Sequence, residues 1–172
     1  NGLIGQRVAL VAKGNEDVFK DVKTLADLKG KKFGDAPATA GLGPGWFDVK
    51  VWNANGLPLV EQQGDWKVLY NMLASKDRGI HYFPRGANEV SAEAKDHADL
   101  GIEKNLLLVY NKDFNFYISK KYSDGDLKDG AALKAVLEEA LTKAEGSGIK
   151  KKLIDEYFSA SVKDLALESR TK

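Results

Sequence analysis

Apolar positions along this chain fall into two regimes: short apolar runs alternate with amphipathic stretches up to about residue 110, and helical periodicity alone follows residue 128. Arg7–Ala12 (RVALVA) reads as a strand, followed by the polar loop KGNED. Thr24 can cap a short helical turn, LADL, closed by Gly30. Lys32–Asp35 (KFGD) predicts a second short strand. The next stretch, residues 36–45 (APATAGLGPG), is rich in glycine and proline and predicts a loop. Trp46–Asn55 (WFDVKVWNAN) suits a helix with Phe47, Val51 and Ala54 on one face and Gly56 ending it. Pro58–Val60 predicts a brief strand.

Asp65 is placed to cap the helix WKVLYNMLAS, where Trp66, Leu69, Tyr70 and Leu73 recur at helical spacing. The segment GIHYFPRGANE, residues 79–89, then predicts a buried strand stopped at Pro84, a turn, and the start of a helix running to about Lys95. Leu106–Tyr110 (LLLVY) and Phe114–Ser119 (FNFYIS) both predict strands. In the last third, Leu133, Val136, Leu137, Ala140 and Leu141 form one apolar helical stripe. Beyond the Gly146-Ser147-Gly148 break, Ile149, Leu153, Ile154, Tyr157 and Phe158 form another. The polar tail from Ser159 is expected to fray.

Strands alternating with helices between residues 7 and 110 argue for an α/β lobe around a central, mostly parallel sheet. The remainder is expected to be part of a second packing unit, with the chain crossing between the two near residues 12 and 110, as at a hinge. The chain opens on Asn1 and runs almost at once into a strand, which suggests a piece of a longer precursor.

Charge narrows the range of partners. The 26 basic and 25 acidic side chains nearly cancel, so neither nucleic acid nor an anionic membrane is implied. Basic runs such as Lys150–Lys152 are short and carry no interleaved aromatics, unlike a nucleic-acid stripe. Absence of cysteine removes disulfides, zinc–thiolate sites and thiol catalysis. His81 and His97 lack metal-ligand spacing, no serine sits in a nucleophile elbow, and the carboxylates do not pair on an apolar face. A metal, a cofactor and enzymatic activity are therefore not expected.

Two places could contact a small molecule. Arg85 follows the predicted strand, where a guanidinium beside a helix start would attract an anion or an acceptor group; as a solvated turn residue it would pair with Glu89 instead. The glycine segment before Trp46 lets a ligand approach backbone amides, or serves as a plain connector. Trp52 and Trp66, at helical spacing, are expected in the core, whereas Trp46 beside the glycines is assigned to a ligand. His81 is expected to be a satisfied core or cleft-edge residue.

The order VKTLADLKGKKFG, a glycine-rich turn into a helix ending NANGLP, then DWKVLYNMLASKDRGIHYFPRGANEV resembles the second lobe of type II periplasmic solute-binding proteins, and is most similar to the amino-acid-binding (family 3) branch. GLIGQRVALVAKG resembles the first hinge crossover of that family and LLLVYNKDFNFYISKKY the return crossover. The resemblance implies a crossover strand at residues 1–12, a complete α/β lobe at 13–108, and a return crossover with C-terminal helices of an incomplete lobe at 109–172. It also implies a periplasmic or extracellular protein, expected to be monomeric, that closes on a small polar solute for an ABC transporter permease or a membrane receptor. Pro84-Arg85-Gly86 stands where the amino-acid binders of the family carry an acidic residue, which favours a ligand of negative or acceptor character. In this reading Arg85, Trp46, the segment from Thr39 to Gly45, Asp48 and Glu89 make the chain's share of the cleft. Two other classes share the pattern: a sensor domain of a receptor or signalling kinase, and a dehydratase-like enzyme using His81 and Glu89.

Overall fold

The computed structural model describes residues 3–111 and 115–172. The expected run at the start is strand β1, Gln6–Ala12, and it is the middle of the main sheet. Its side chains alternate between two buried faces. Val8 and Leu10 face Leu69, Leu73, Phe83 and Val90; Ala9 and Val11 face Phe19, Trp52 and Tyr82. A strand covered on both faces has no polar positions to alternate with, which is why residues 8–12 (VALVA) are an unbroken apolar run.

After a loop come helix α1 (Leu25–Gly30), the strand pair β2 (Lys32–Phe33) and β3 (Ala36–Pro37), strand β4 (Ala40–Leu42), helix α2 (Phe47–Ala54) and strand β5 (Leu59–Glu61). Thr24 closes a full capping box on α1: its side chain accepts from the Asp27 amide, and Asp27 accepts from the Thr24 amide. Helix α3 (Val68–Ser75), strand β6 (Phe83–Gly86), helix α4 (Val90–Asp96), strands β7 (Leu100–Ile102) and β8 (Leu108–Val109), and helices α5 (Gly130–Gly146) and α6 (Ile149–Lys163) complete the order.

β4 and β5 run parallel, and Ala40 bridges Tyr82 in the same sense just before β6 begins. β6, β7 and β8 all pair with β1 antiparallel. It follows that β4, β5, β6 and β7 point one way and β1 alone runs against them, in the order β5–β4–β6–β1–β7. The mostly parallel lobe is thus present, with the incoming strand as its reversed member.

Four local expectations are corrected. Residues 36–45 are not one loop, because Ala40, Gly41 and Leu42 form a fully buried strand. A β-carbon on Gly41 would lie 2.8 Å from Leu69 Cδ2 and 2.9 Å from Ile80 Cδ1, so the strand is made of small residues for want of space. The strand of the FPRG segment does not stop at Pro84 but runs through it to Gly86. Pro84 lies opposite Ala9, whose carbonyl is used on the other side by the Glu103 amide. The Ala9–Pro84 pair is therefore a non-hydrogen-bonded one, and the missing N–H costs the ladder nothing. The inward face of α2 carries Asp48 and Trp52, while Phe47 and Ala54 are exposed. Finally, residues 115–119 form no strand, and Phe116 and Tyr117 are exposed; Phe114 lies outside the described residues.

Contacts divide the chain into a first unit, Asn1–Asp113 with Ser161–Lys172, and a second, Phe114–Ala160. The expected fraying tail instead belongs to the first unit. Leu165 and Arg170 are buried, Thr171 bridges Leu106, and Arg170 donates to the carbonyls of Glu103, Leu106 and Leu165. The second unit holds α5 and most of α6. Asp129 caps α5 by accepting from the amides of Ala131 and Ala132 at 2.9 Å each. Val136, Leu141, Leu153 and Ile154 of the two expected stripes are exposed.

Candidate functional site

The strands β4 and β6 are neighbours that point the same way, so the segments following them emerge on one edge of the sheet. In open α/β sheets this carboxyl edge is where ligands bind. β4 ends at Leu42 and leads through Gly43–Gly45 to Trp46, the N-cap of α2. β6 ends at Gly86, and a three-residue turn leads to α4. Arg7, near the start of the reversed strand β1, faces Gly86 in register and so reaches the same edge.

Arg85 is almost wholly buried here. Its Nε and Nη2 donate to both oxygens of Glu93 at 2.7 and 2.6 Å, a two-point carboxylate pair, and Nη2 lies 3.2 Å from Glu89 Oε2. Around the guanidinium stand three aromatic rings, those of Trp46, Trp66 and Phe83, with centroids 5.1, 5.0 and 5.1 Å away. Burial pulls the Arg85 pKa down, but the hydrogen bond and charge of Glu93, then the charge of Glu89, outweigh it and hold the pKa above its usual value. Trp46 stacks on Phe83 and meets Trp66 edge-on. Gly43 makes this possible, since a β-carbon there would fall 2.3 Å from the Trp46 ring.

Beside this cluster Arg7 Nε donates to Asp48 Oδ1 at 2.9 Å, and the Tyr110 hydroxyl donates to the same oxygen at 3.3 Å. Burial, reinforced by the Asp48 charge, pushes the Tyr110 phenol well above its ordinary pKa. Asp48 is thus a buried, partnered carboxylate.

The structure brings Arg85, Trp46 and Glu89 together in one cluster and sets Asp48 on the same edge. The Gly45 amide is also on this edge but donates to Glu61 Oε1 at 3.0 Å. Thr39 lies elsewhere. It precedes β4, at the amino end of the strand, where its amide donates to His81 Nδ1. Other amides of the 39–45 segment are spent within the sheet: Ala40 donates to the Pro58 carbonyl and Gly41 to that of Tyr82. Sequence reasoning missed Glu93, Trp66, Arg7 and Tyr110. The spacing of Glu89 and Glu93, one helical turn apart at the start of α4, was the available signal for two carboxylates sharing a face toward Arg85.

Among the described residues no group of three or more His, Asp or Glu side chains is arranged to hold a metal ion, and no helix is long and apolar enough to cross a membrane. No family model matches the sequence, and no curated protein matches it. Solved structures do. An amino acid ABC transporter substrate-binding protein from Streptococcus pneumoniae, bound to L-arginine, superposes with a TM-score of 0.53 at 17% identity over 91% of this chain and 58% of that one. An ancestral arginine-binding protein bound to glutamine gives a TM-score of 0.50 at 17% identity, covering 89% of this chain and 59% of that one. The chain therefore spans less than two thirds of the length of these proteins, and over that span it has the fold of amino acid ABC transporter substrate-binding proteins.

Proposed function

We propose that this chain is part of an extracytoplasmic solute-binding protein, holding a small polar solute at the carboxyl edge for delivery to an ABC transporter permease. The observation that carries the reading is the aromatic and charged cluster on that edge, where the partly exposed Trp46 stands against Arg85 beside the half-exposed Glu89. In this reading the first unit is the lobe, residues 1–12 and 109–111 belong to its crossovers, and the apolar helices of the second unit pack on a further lobe. The two solved proteins described above are bound to L-arginine and to glutamine, which supports a solute of amino-acid size.

Charge sets the kind of solute. The anion first expected at Arg85 would have to displace Glu89 and compete with the two-point pair to Glu93. Arg85, Glu89 and Glu93 together carry one positive and two negative charges. The three together keep a net negative charge, and Glu89 is the more exposed of the two carboxylates, so the favoured solute presents an ammonium or N–H donor to it while its body packs on Trp46. Arg85 then acts by positioning the tryptophan and both glutamates rather than by touching the solute's charge.

Thermal-shift screening of amino acids, amines and organic acids against the full-length gene product tests this. A solute at about 100 times its Kd adds roughly 2.7 kcal/mol of stability. Cationic or donor-bearing solutes should raise the melting temperature, and Trp46→Ala and Glu89→Gln should each weaken the best of them about tenfold. Hits confined to organic acids, or hits indifferent to both substitutions, would overturn the assignment.

A further inference from the structure

A half-open cavity of about 220 Å³ lies at the opposite, amino edge of the sheet, lined by Ala12, Asn15, Phe33, Leu73, Lys76, Ile80 and His81. At roughly 30 Å³ per water molecule this is room for about seven water-sized groups. Ala12, Leu73 and Ile80 are core residues, so the floor is apolar. Each polar side chain in the lining can donate a hydrogen bond, and no carboxylate is among them.

His81 Nδ1 accepts from the Thr39 amide at 3.1 Å, which puts the ring proton on Nε2. The ring is held by Phe33, whose centroid is 4.5 Å away. Burial pushes its pKa down, so the imidazole is neutral at neutral pH and Nε2–H is the donor it has left. Lys76, in the left-handed conformation at φ 62°, ends α3. Its ammonium makes one long hydrogen bond, 3.4 Å, to the Lys13 carbonyl, and pairs with no carboxylate among the described residues.

An apolar floor with donors and one unneutralised cation above it has the chemistry of a receptor for a carboxylate on a short apolar tail. We propose that this cavity is a second small-molecule site, separate from the carboxyl edge, that takes a small organic monocarboxylate with its carboxyl group between Lys76, Asn15 and His81 and its tail against Phe33, Leu73 and Ile80. Lys76 supplies the charge-assisted contact, and Asn15 and His81 Nε2–H fix the orientation. The site stands independently of the transport reading, because it shares no residue with the Arg85 cluster.

Titration of the full-length protein with isobutyrate and with isobutyramide, followed by amide NMR and calorimetry, tests it. The expected result is saturable isobutyrate binding with shifts confined to residues 12–15, 33 and 73–81, and about tenfold weaker binding of the uncharged amide. Lys76→Asn removes the charge with a residue that tolerates the left-handed conformation, so its melting temperature should not move while isobutyrate affinity falls about tenfold. The proposal is overturned by equal binding of acid and amide, by unchanged affinity in Lys76→Asn, by shifts centred on Arg85 and Trp46, or by no saturable binding.

Discussion

Arg85 loses its water on folding and regains each interaction from the protein, with two oxygens of Glu93 in line and three rings around the guanidinium. Removing one partner of such a pair costs more than the pair itself contributes, because the other charge is left behind. Arg85→Met should therefore destabilise the first unit by about 3 kcal/mol in urea denaturation, and Arg85→Met with Glu93→Leu should recover most of that loss. Equal losses in the single and double variants would show that packing, not charge, is at stake. The phenols give a second residue-scale test. Tyr70, Tyr82 and Tyr110 are buried. Burial raises all three pKa values, that of Tyr82 to about 12 with the Trp52 hydrogen bond opposing, and Glu93 and Asp48 add to the rise at Tyr70 and Tyr110. A pKa raised in the folded state means stability that is complete below the unfolded value near 10 and lost as pH climbs through the folded one. With three such groups the slope between pH 10 and 12 should approach about 4 kcal/mol per pH unit. Spectroscopic titration in which all six tyrosines of the folded protein ionise at ordinary pH would contradict it. Of these residues the sequence singled out Arg85, because an arginine after an apolar run is visible in one dimension. Its partner Glu93 lies on the next helix, and the roof over it comes from Trp46 and Trp66, so the neutralisation of its charge could not be read locally.

At the scale of elements, the misread segment is the informative one. Strand β4 is built from Ala40, Gly41 and Leu42 because it is squeezed between α3 and the residues leading into β6. Small residues carry neither β-branched propensity nor alternation, so this strand reads in the sequence as a loop. FNFYIS shows the reverse case: its alternating aromatics have strand character, although residues 115–119 form no strand. Helices α1, α2 and α3 were legible because their caps and periodicity are local, as the Thr24–Asp27 box illustrates. The crowding at β4 makes a graded prediction. Gly41→Ala brings a methyl against Leu69 and Ile80 and should cost about 1–3 kcal/mol through overpacking. Gly43→Ala forces the Trp46 ring away, so it should in addition change the tryptophan emission and lower solute affinity. If Gly43→Ala altered stability while leaving emission and affinity unchanged, Trp46 would have no part in the site.

For the molecule as a whole, the decisive feature is that the last twelve residues return to the sheet from which the chain set out. Glu103 has no solvent exposure, and both its oxygens accept from the amides of Asn105 and Leu106. Arg170 stands 3.6 Å from that carboxylate, and its guanidinium joins the carbonyls of Glu103 and Leu106 to that of Leu165. One side chain near the end of the sequence therefore satisfies backbone groups more than sixty positions away and offsets a fully buried charge. A polar C-terminal segment looks like a fraying end because its anchors, Leu165 and Arg170, are isolated in sequence and meaningful only against residues 103–106. Arg170→Ala should leave Glu103 without a counter-charge in the interior and cost about 3 kcal/mol, whereas Leu141→Gln, on the exposed face of α5, should change stability by no more than about 0.5 kcal/mol. Hydrogen exchange would locate the first effect: opening should spread from residues 103–110 into β1, since β8 pairs directly with it. Were protection to fall only within residues 161–172, the segment would be a passive cover, and the sheet would owe nothing to its return.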